Sequence, residues 1–100
     1  MLSDILTANP NDSFARYGLA MEYLGQGNSD AALAEFRKTT DTNPDYVPAY
    51  QMSGQTLAKL HRNDDAKARL QAGLAAAERT SNSHAASEMQ ALLDELELGY

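Results

Sequence analysis

The chain has 100 residues and no cysteine, and 14 acidic against 8 basic side chains leave a net charge of −6. That length suits one domain with one modest core, the missing thiols exclude disulfides and thiolate metal sites, and the acidic balance argues against nucleic acid and anionic membrane surfaces, which both want a basic face. Val and Ile occur once each, at Val47 and Ile5, so a composition led by Ala and Leu predicts an all-helical protein rather than strands.

The N-terminal run "MLSDILTANP" has neither a basic segment nor a long apolar core, so it does not read as a leader peptide. No stretch approaches the roughly 18 apolar residues of a membrane span. Residence in the cytoplasm is the expectation. Leu2, Ile5 and Leu6 have the spacing of the last turns of a helix that ends before Asn9-Pro10.

Asn11 or Asp12 is placed to cap a first full helix, running to about Leu24. The segment "GQGN", residues 25–28, ends it, with Gly25 and Gly27 open to the left-handed conformation. Ser29 is the expected cap of the next helix, with Asp30 favourable in its first turn. Ala32, Leu33, Phe36 and Thr40 give that helix one buried stripe. It should stop near Thr42, because Pro44 disfavours helical geometry at Asn43. Pro48 then suits the first turn of a new helix, where its missing N–H costs nothing. Tyr50, Gly54, Leu57 and Leu60 form that helix's inner face. "HRNDD", residues 61–65, is the following turn, with Asn63 as cap. Ala66, Leu70, Gly73, Leu74 and Ala77 make the stripe of the helix after it. "TSNS", residues 80–83, precedes a last amphipathic helix from His84 to Leu98, with Ala85, Met89, Leu92, Leu93 and Leu96 on one side. Asp94, Glu95 and Glu97 fall on its polar side.

Pro10 and Pro44 lie 34 residues apart, and the same shift superposes Ala15 on Ala49, Asp30 on Asp64, Ala32 on Ala66 and Ala34 on Ala68. It also places Ala20 on Gly54, Tyr23 on Leu57 and Phe36 on Leu70. Small residues recur where helices touch closely, and bulky ones recur where a hole is filled, which is the mark of a packing repeat. Two helical hairpins are expected, at about 13–46 and 47–80, with a capping helix at about 84–98. That makes about five helices, preceded by the closing turns of an earlier unit.

These residues resemble the tetratricopeptide repeat, whose unit is a 34-residue helix–turn–helix. Leu19, Ala20, Tyr23, Gly27, Ala32, Phe36 and Pro44 match its pattern in order and spacing. The second unit matches at Tyr50, Gly54, Leu57, Ala66 and Leu70. It departs at Ser53, at His61 where Gly is usual, and at its missing final proline. In the first unit, Arg16 stands where a large apolar residue is common. The resemblance implies a right-handed α–α superhelix that binds peptides or partner proteins on a concave face built from its first helices. A subset of the family holds a C-terminal carboxylate through Lys, Asn and Arg on that face. The matching positions here are Tyr17, Met21 and Met52, with Pro48 beside them, so that mode is not expected.

On the first helix, Phe14, Tyr17, Met21 and Leu24 form a second apolar stripe outside the hairpin core. The equivalent face of the second unit presents Gln51, Gln55 and Lys59. These seven are the candidate partner-binding residues, an apolar wall facing an amide wall. An aromatic and Met stripe at helical spacing is often core, and self-association through it stays open, as does membership of a longer helical array. No catalytic, cofactor or metal site is expected. His61 with Asp64 and Asp65 reads as turn and helix-start charge. His84 opens a solvated helix. "GQGN" lacks the following Lys-Ser/Thr of a phosphate loop. No nucleophile–His–acid set is suggested.

Overall fold

The computed structural model describes residues 2–99, and every regular element among them is helical. The helices are α1 (Leu2–Ala8), α2 (Ser13–Gly25), α3 (Ser29–Thr42), α4 (Val47–Lys59), α5 (Asn63–Arg79) and α6 (Ser83–Glu97). There are six rather than about five because Leu2, Ile5 and Leu6 form a helix of their own. α1 packs on α2, with Leu6 buried and Leu2 filling the space over Gly18. α2 pairs with α3 and α4 with α5 as hairpins, α3 meets α4, and α6 lies against α5 and the flank of α4.

The caps follow side-chain chemistry, with two corrections. Asp12 caps α2 by accepting from the Ala15 N–H at 2.9 Å. The cap of α3 is Asn28, which accepts from the Ala31 N–H at 3.2 Å, and Ser29 is already helical. An Asn carbonyl reaches the third amide as well as a Ser hydroxyl does, so the boundary moves by one residue. Asn63 is likewise the first residue of α5 and no cap. Arg62 occupies the cap position without a side-chain cap bond and pairs with Asp65 at 3.1 Å instead.

Three turns close in one way. Asn28 N–H bonds Tyr23 C=O at 2.9 Å, Arg62 N–H bonds Leu57 C=O at 2.9 Å, and Asn82 N–H bonds Ala77 C=O at 2.8 Å. The residue before each donor is left-handed: Gly27 at φ 78°, His61 at φ 59° and Ser81 at φ 56°. Gly25 is not part of this device and sits within α2. His61 thus stands in for the expected glycine at a backbone cost.

The joint between hairpins is also built twice. Arg16 donates to the Pro10 carbonyl at 3.2 Å, and Tyr50 donates its hydroxyl to the Pro44 carbonyl at 2.9 Å. Arg16 tolerates the apolar position expected there because it pairs with Glu35 at 2.7 Å across the hairpin. At the second joint, Arg79 adds bonds to Asp45 at 2.7 Å and to the Pro44 carbonyl at 3.0 Å.

Packing falls into two clusters. One gathers Ala20, Ala32, Phe36 and Ala49. The other runs through Val47, Tyr50, Leu57, Leu70, Met89, Leu93 and Leu96. Leu60, expected on the inner face, is instead exposed because it ends α4 at the mouth of the turn. A Cβ on Gly54 would lie 2.6 Å from Leu70, and one on Gly73 would lie 2.7 Å from the Tyr50 Cβ.

Gly73→Ala is therefore expected to lower unfolding stability by about 1–3 kcal/mol, because the Tyr50 Cβ has no rotamer by which to retreat. His61→Gly is expected to raise it by roughly 1 kcal/mol, since it relieves the left-handed strain. Urea denaturation of both variants checks the pair of opposite signs.

Candidate functional site

The first helices α2 and α4, with α6 beside α4, share one face of the stack. On α2 the predicted stripe divides. Phe14 is 76% exposed at the N-terminal end. Tyr17, Met21 and Leu24 are half-buried and rest on the cluster around Phe36, together with Tyr46 and Met52. The Tyr17 ring lies 5.8 Å from the Phe36 ring and 5.5 Å from the Tyr46 ring, tilted to each, an arrangement aromatic pairs favour. Burial pushes the Tyr17 and Tyr46 phenols above their ordinary value, with smaller contributions from each other's neighbourhood: Tyr46 acts on Tyr17, and Asp12 on Tyr46.

Gln55 and Lys59 are brought together with Leu24. A cleft of about 200 Å³ is lined by Leu24, Ser29, Met52, Gln55, Lys59 and Leu60, among others. A second, of about 360 Å³, lies between α4 and α6, with Ala58, Leu92 and Leu96 as its apolar floor and Gln55, Lys59, His61 and Glu95 on its rim. Gln55 and Lys59 border both and stand on the ridge between them. Gln51 is half-buried one turn earlier on α4 and lines neither cleft.

Leu92, Glu95, Leu96 and Met52 therefore join a surface that sequence reasoning built from α2 and α4 alone. α5 has 17 residues against 14 in α3. In consequence α6 begins 36 residues after α4 begins, whereas α4 begins 34 after α2. A constant shift of 34 from Gln51, Gln55 and Lys59 thus lands on the buried Ala85, Met89 and Leu93 and misses Leu92. The signal that finds it is the apolar period of α6 itself.

Among the described residues no group of three His, Asp or Glu side chains is arranged to hold a metal, and His61 sits exposed in its turn. His84 pairs with Glu88 on the outside of α6 at 2.8 Å. No described helix is long and apolar enough to cross a membrane.

Stacked helical hairpins with a shared first-helix face define a helical-repeat scaffold. The chain belongs to the tetratricopeptide repeat family, whose pattern matches residues 23–93. Its fold is the right-handed superhelical stack of that family. A tetratricopeptide repeat domain protein from Salinibacter ruber is 35% identical, with a TM-score of 0.84 over 92% of this chain and 93% of that one. The TPR2B domain of yeast Sti1, in its complex with pHsp70, superposes with a TM-score of 0.89 at 17% identity, covering 99% of this chain and 79% of that one. SycD, the type III secretion translocator chaperone of Yersinia enterocolitica, does so at 0.87 and 12% identity, covering 97% and 68%. The last two likenesses concern the fold alone. No match is found among curated proteins.

Tyr17→Ala should cost about 2 kcal/mol, less than full truncation of a buried aromatic because the ring is only half-buried. A phenol raised above 10.0 in the fold keeps its proton when the unfolded chain has lost it. Stability is therefore intact below pH 10 and falls as pH rises past it. Tyr17→Phe should flatten part of that decline, measured by denaturation at stepped alkaline pH.

Proposed function

We propose that the chain is a non-enzymatic protein-interaction scaffold that takes a peptide or partner-protein segment along the face of α2, α4 and α6. Residues 13–46 and 47–80 act as its two hairpins, with 84–98 closing the stack. The observation that carries this reading is the pair of adjoining clefts that share Gln55 and Lys59, continued along α2 by Leu24, Met21 and the exposed Phe14. Apolar floors with an amide-and-charge rim suit an extended or amphipathic segment, whose side chains fill the pockets while its polar edge meets Gln55 and Lys59. The Sti1 domain is seen in complex with pHsp70, and SycD is a chaperone; both are relatives in fold that engage other proteins.

Within this surface the seven candidate residues take different parts. Phe14, Leu24, Gln55 and Lys59 are the contact residues. Tyr17 and Met21 shape the wall while bracing the core, and Gln51 extends the rim. A second reading, self-association through the same face, rests on Phe14, because a ring 76% exposed is an anchor for any apolar surface, including a second copy.

Selection of a displayed peptide library on this protein tests both. Selected peptides should lose about tenfold or more in affinity with Phe14→Ala or with Gln55→Ala plus Lys59→Glu, at unchanged melting temperature. Peptides indifferent to both variants would overturn the groove reading. Sedimentation velocity across a concentration range, with loss of any association in Phe14→Ala, identifies the self-pairing alternative.

A further inference from the structure

Arg69, on the inner side of α5, is 9% exposed, and no ion pair reaches it among the described residues. Its Nε donates to Ser53 Oγ at 3.2 Å and its Nη2 to Thr40 Oγ1 at 2.9 Å. Its guanidinium carbon lies 4.8 Å from the centre of the Tyr50 ring. Two hydroxyls and a ring face hold this cation in one orientation, and among the described residues no protein acceptor meets Nη1. Burial pushes the guanidinium below its ordinary value, and the nearby Arg37 pushes it further, opposed by Tyr50 and Asp41. A buried charge held by two hydroxyls and a ring, with no ion pair of its own, favours an anion within reach.

The space to hold one is present. A cleft of about 350 Å³ runs between α3 and α5, lined by Leu33, Arg37, Leu57, Arg62 and Arg69, with Asp30 and Asp65 also on its walls. Arg62 is engaged with Asp65, so Arg37 and Arg69 are its uncommitted cations against Asp30. Three arginines against two aspartates make this cleft locally positive in a chain of net charge −6. Its floor comes from Ser53 and Leu57, each two residues and so about 200° around α4 from Gln51 and Gln55. It is therefore on the opposite side of the stack from the groove, and neither reading depends on the other.

We propose that the cleft between α3 and α5 binds an oxyanion, a carboxylate or phosphoryl group, seated on Nη1 of Arg69 with Arg37 closing over it. Arg69 supplies a preset donor, since its other nitrogens are already held. Arg37, exposed and in no ion pair among the described residues, supplies the second charge. A planar guanidinium beside a second one matches the geometry of both anions.

Titration of the protein with sodium phosphate, and separately with sodium acetate, at constant ionic strength held by chloride, tests this by ¹H–¹⁵N spectra. A saturable shift of the Arg69 Nε–H signal and of the Ala34 and Ala68 amides is expected, weakened about tenfold or more in Arg37→Gln. Arg37 is solvent-facing, so that variant keeps the fold, which its unchanged amide spectrum would verify. Saturation by phosphate alone assigns a phosphoryl ligand, and saturation by acetate assigns a carboxylate. Non-saturating shifts with both salts, or shifts matched at Arg79 and unchanged by Arg37→Gln, mean an adventitious ion only and overturn the proposal.

Discussion

The stack depends on how closely its helices approach, and that is set by residues with little or no side chain. Leu70 lies where a Cβ of Gly54 would be, and Tyr50 and Met89 crowd the same space at Gly73. Ala20, Ala32, Ala49, Ala66 and Ala76 are all fully buried. With such contacts, the larger side chains Phe36, Leu70 and Met89 fill the remaining holes instead of holding the helices apart. Close approach also explains why only one face of each helix is spent on the core. The rest of α2 and α4 stays available for an inner surface, and the rest of α3 and α5 for an outer one.

The same approach forces the polar groups at the seams to be satisfied locally, and the two hairpins do this differently. In the first, Arg16 reaches across to Glu35, so a cation and an anion cancel near the joint. In the second, the equivalent pair is Tyr50 and Arg69, a ring and a cation. The Pro carbonyl is answered in both, by Arg16 and by Tyr50. What changes is the charge balance: swapping Glu35 for Arg69 and Arg16 for Tyr50 converts a neutral pair into an uncompensated cation. Ser53, where the family pattern has a large apolar residue, fits this exchange, because its hydroxyl is one of the two acceptors that hold Arg69.

Most of the fold was legible because a packing repeat writes itself into the sequence at the residues that touch. Ala32 with Ala66, and Phe36 with Leu70, sufficed to locate both hairpins. Pro44 and Pro48 located the joint, since each imposes its own backbone restriction. The caps were less legible, because adjacent Asn and Ser are both competent and the choice between Asn28 and Ser29 is made by the turn. The left-handed residue at His61 was visible only as a missing glycine. The site was half legible. The chemistry of the α2 stripe could be read, but periodicity alone cannot tell a wall residue such as Phe14 from a brace such as Tyr17. The part of α6 in the surface was hidden by the longer α5, and Arg69 by its partners' distance in sequence, with Thr40 29 residues away.

Two faces of one helix then carry opposite characters, and α4 shows why. Gln51, Gln55 and Lys59 point one way while Ser53 and Leu57 point the other, and a helix admits both only because its neighbours on the two sides are different. Toward the first helices it meets Leu24 and Leu92 across clefts with apolar floors, where binding draws on contact area. Toward the second helices it floors a cleft that already holds a desolvated guanidinium, where charge matters more than area. An apolar substitution on the first side changes the surface available to a partner and leaves the seam intact. A substitution at Ser53 removes an acceptor from a buried cation, so its cost is felt by the joint between hairpins first. Along α4, stability is therefore coupled to the outer side more tightly than to the inner one, and Gln51, Gln55 and Lys59 are the residues free to vary.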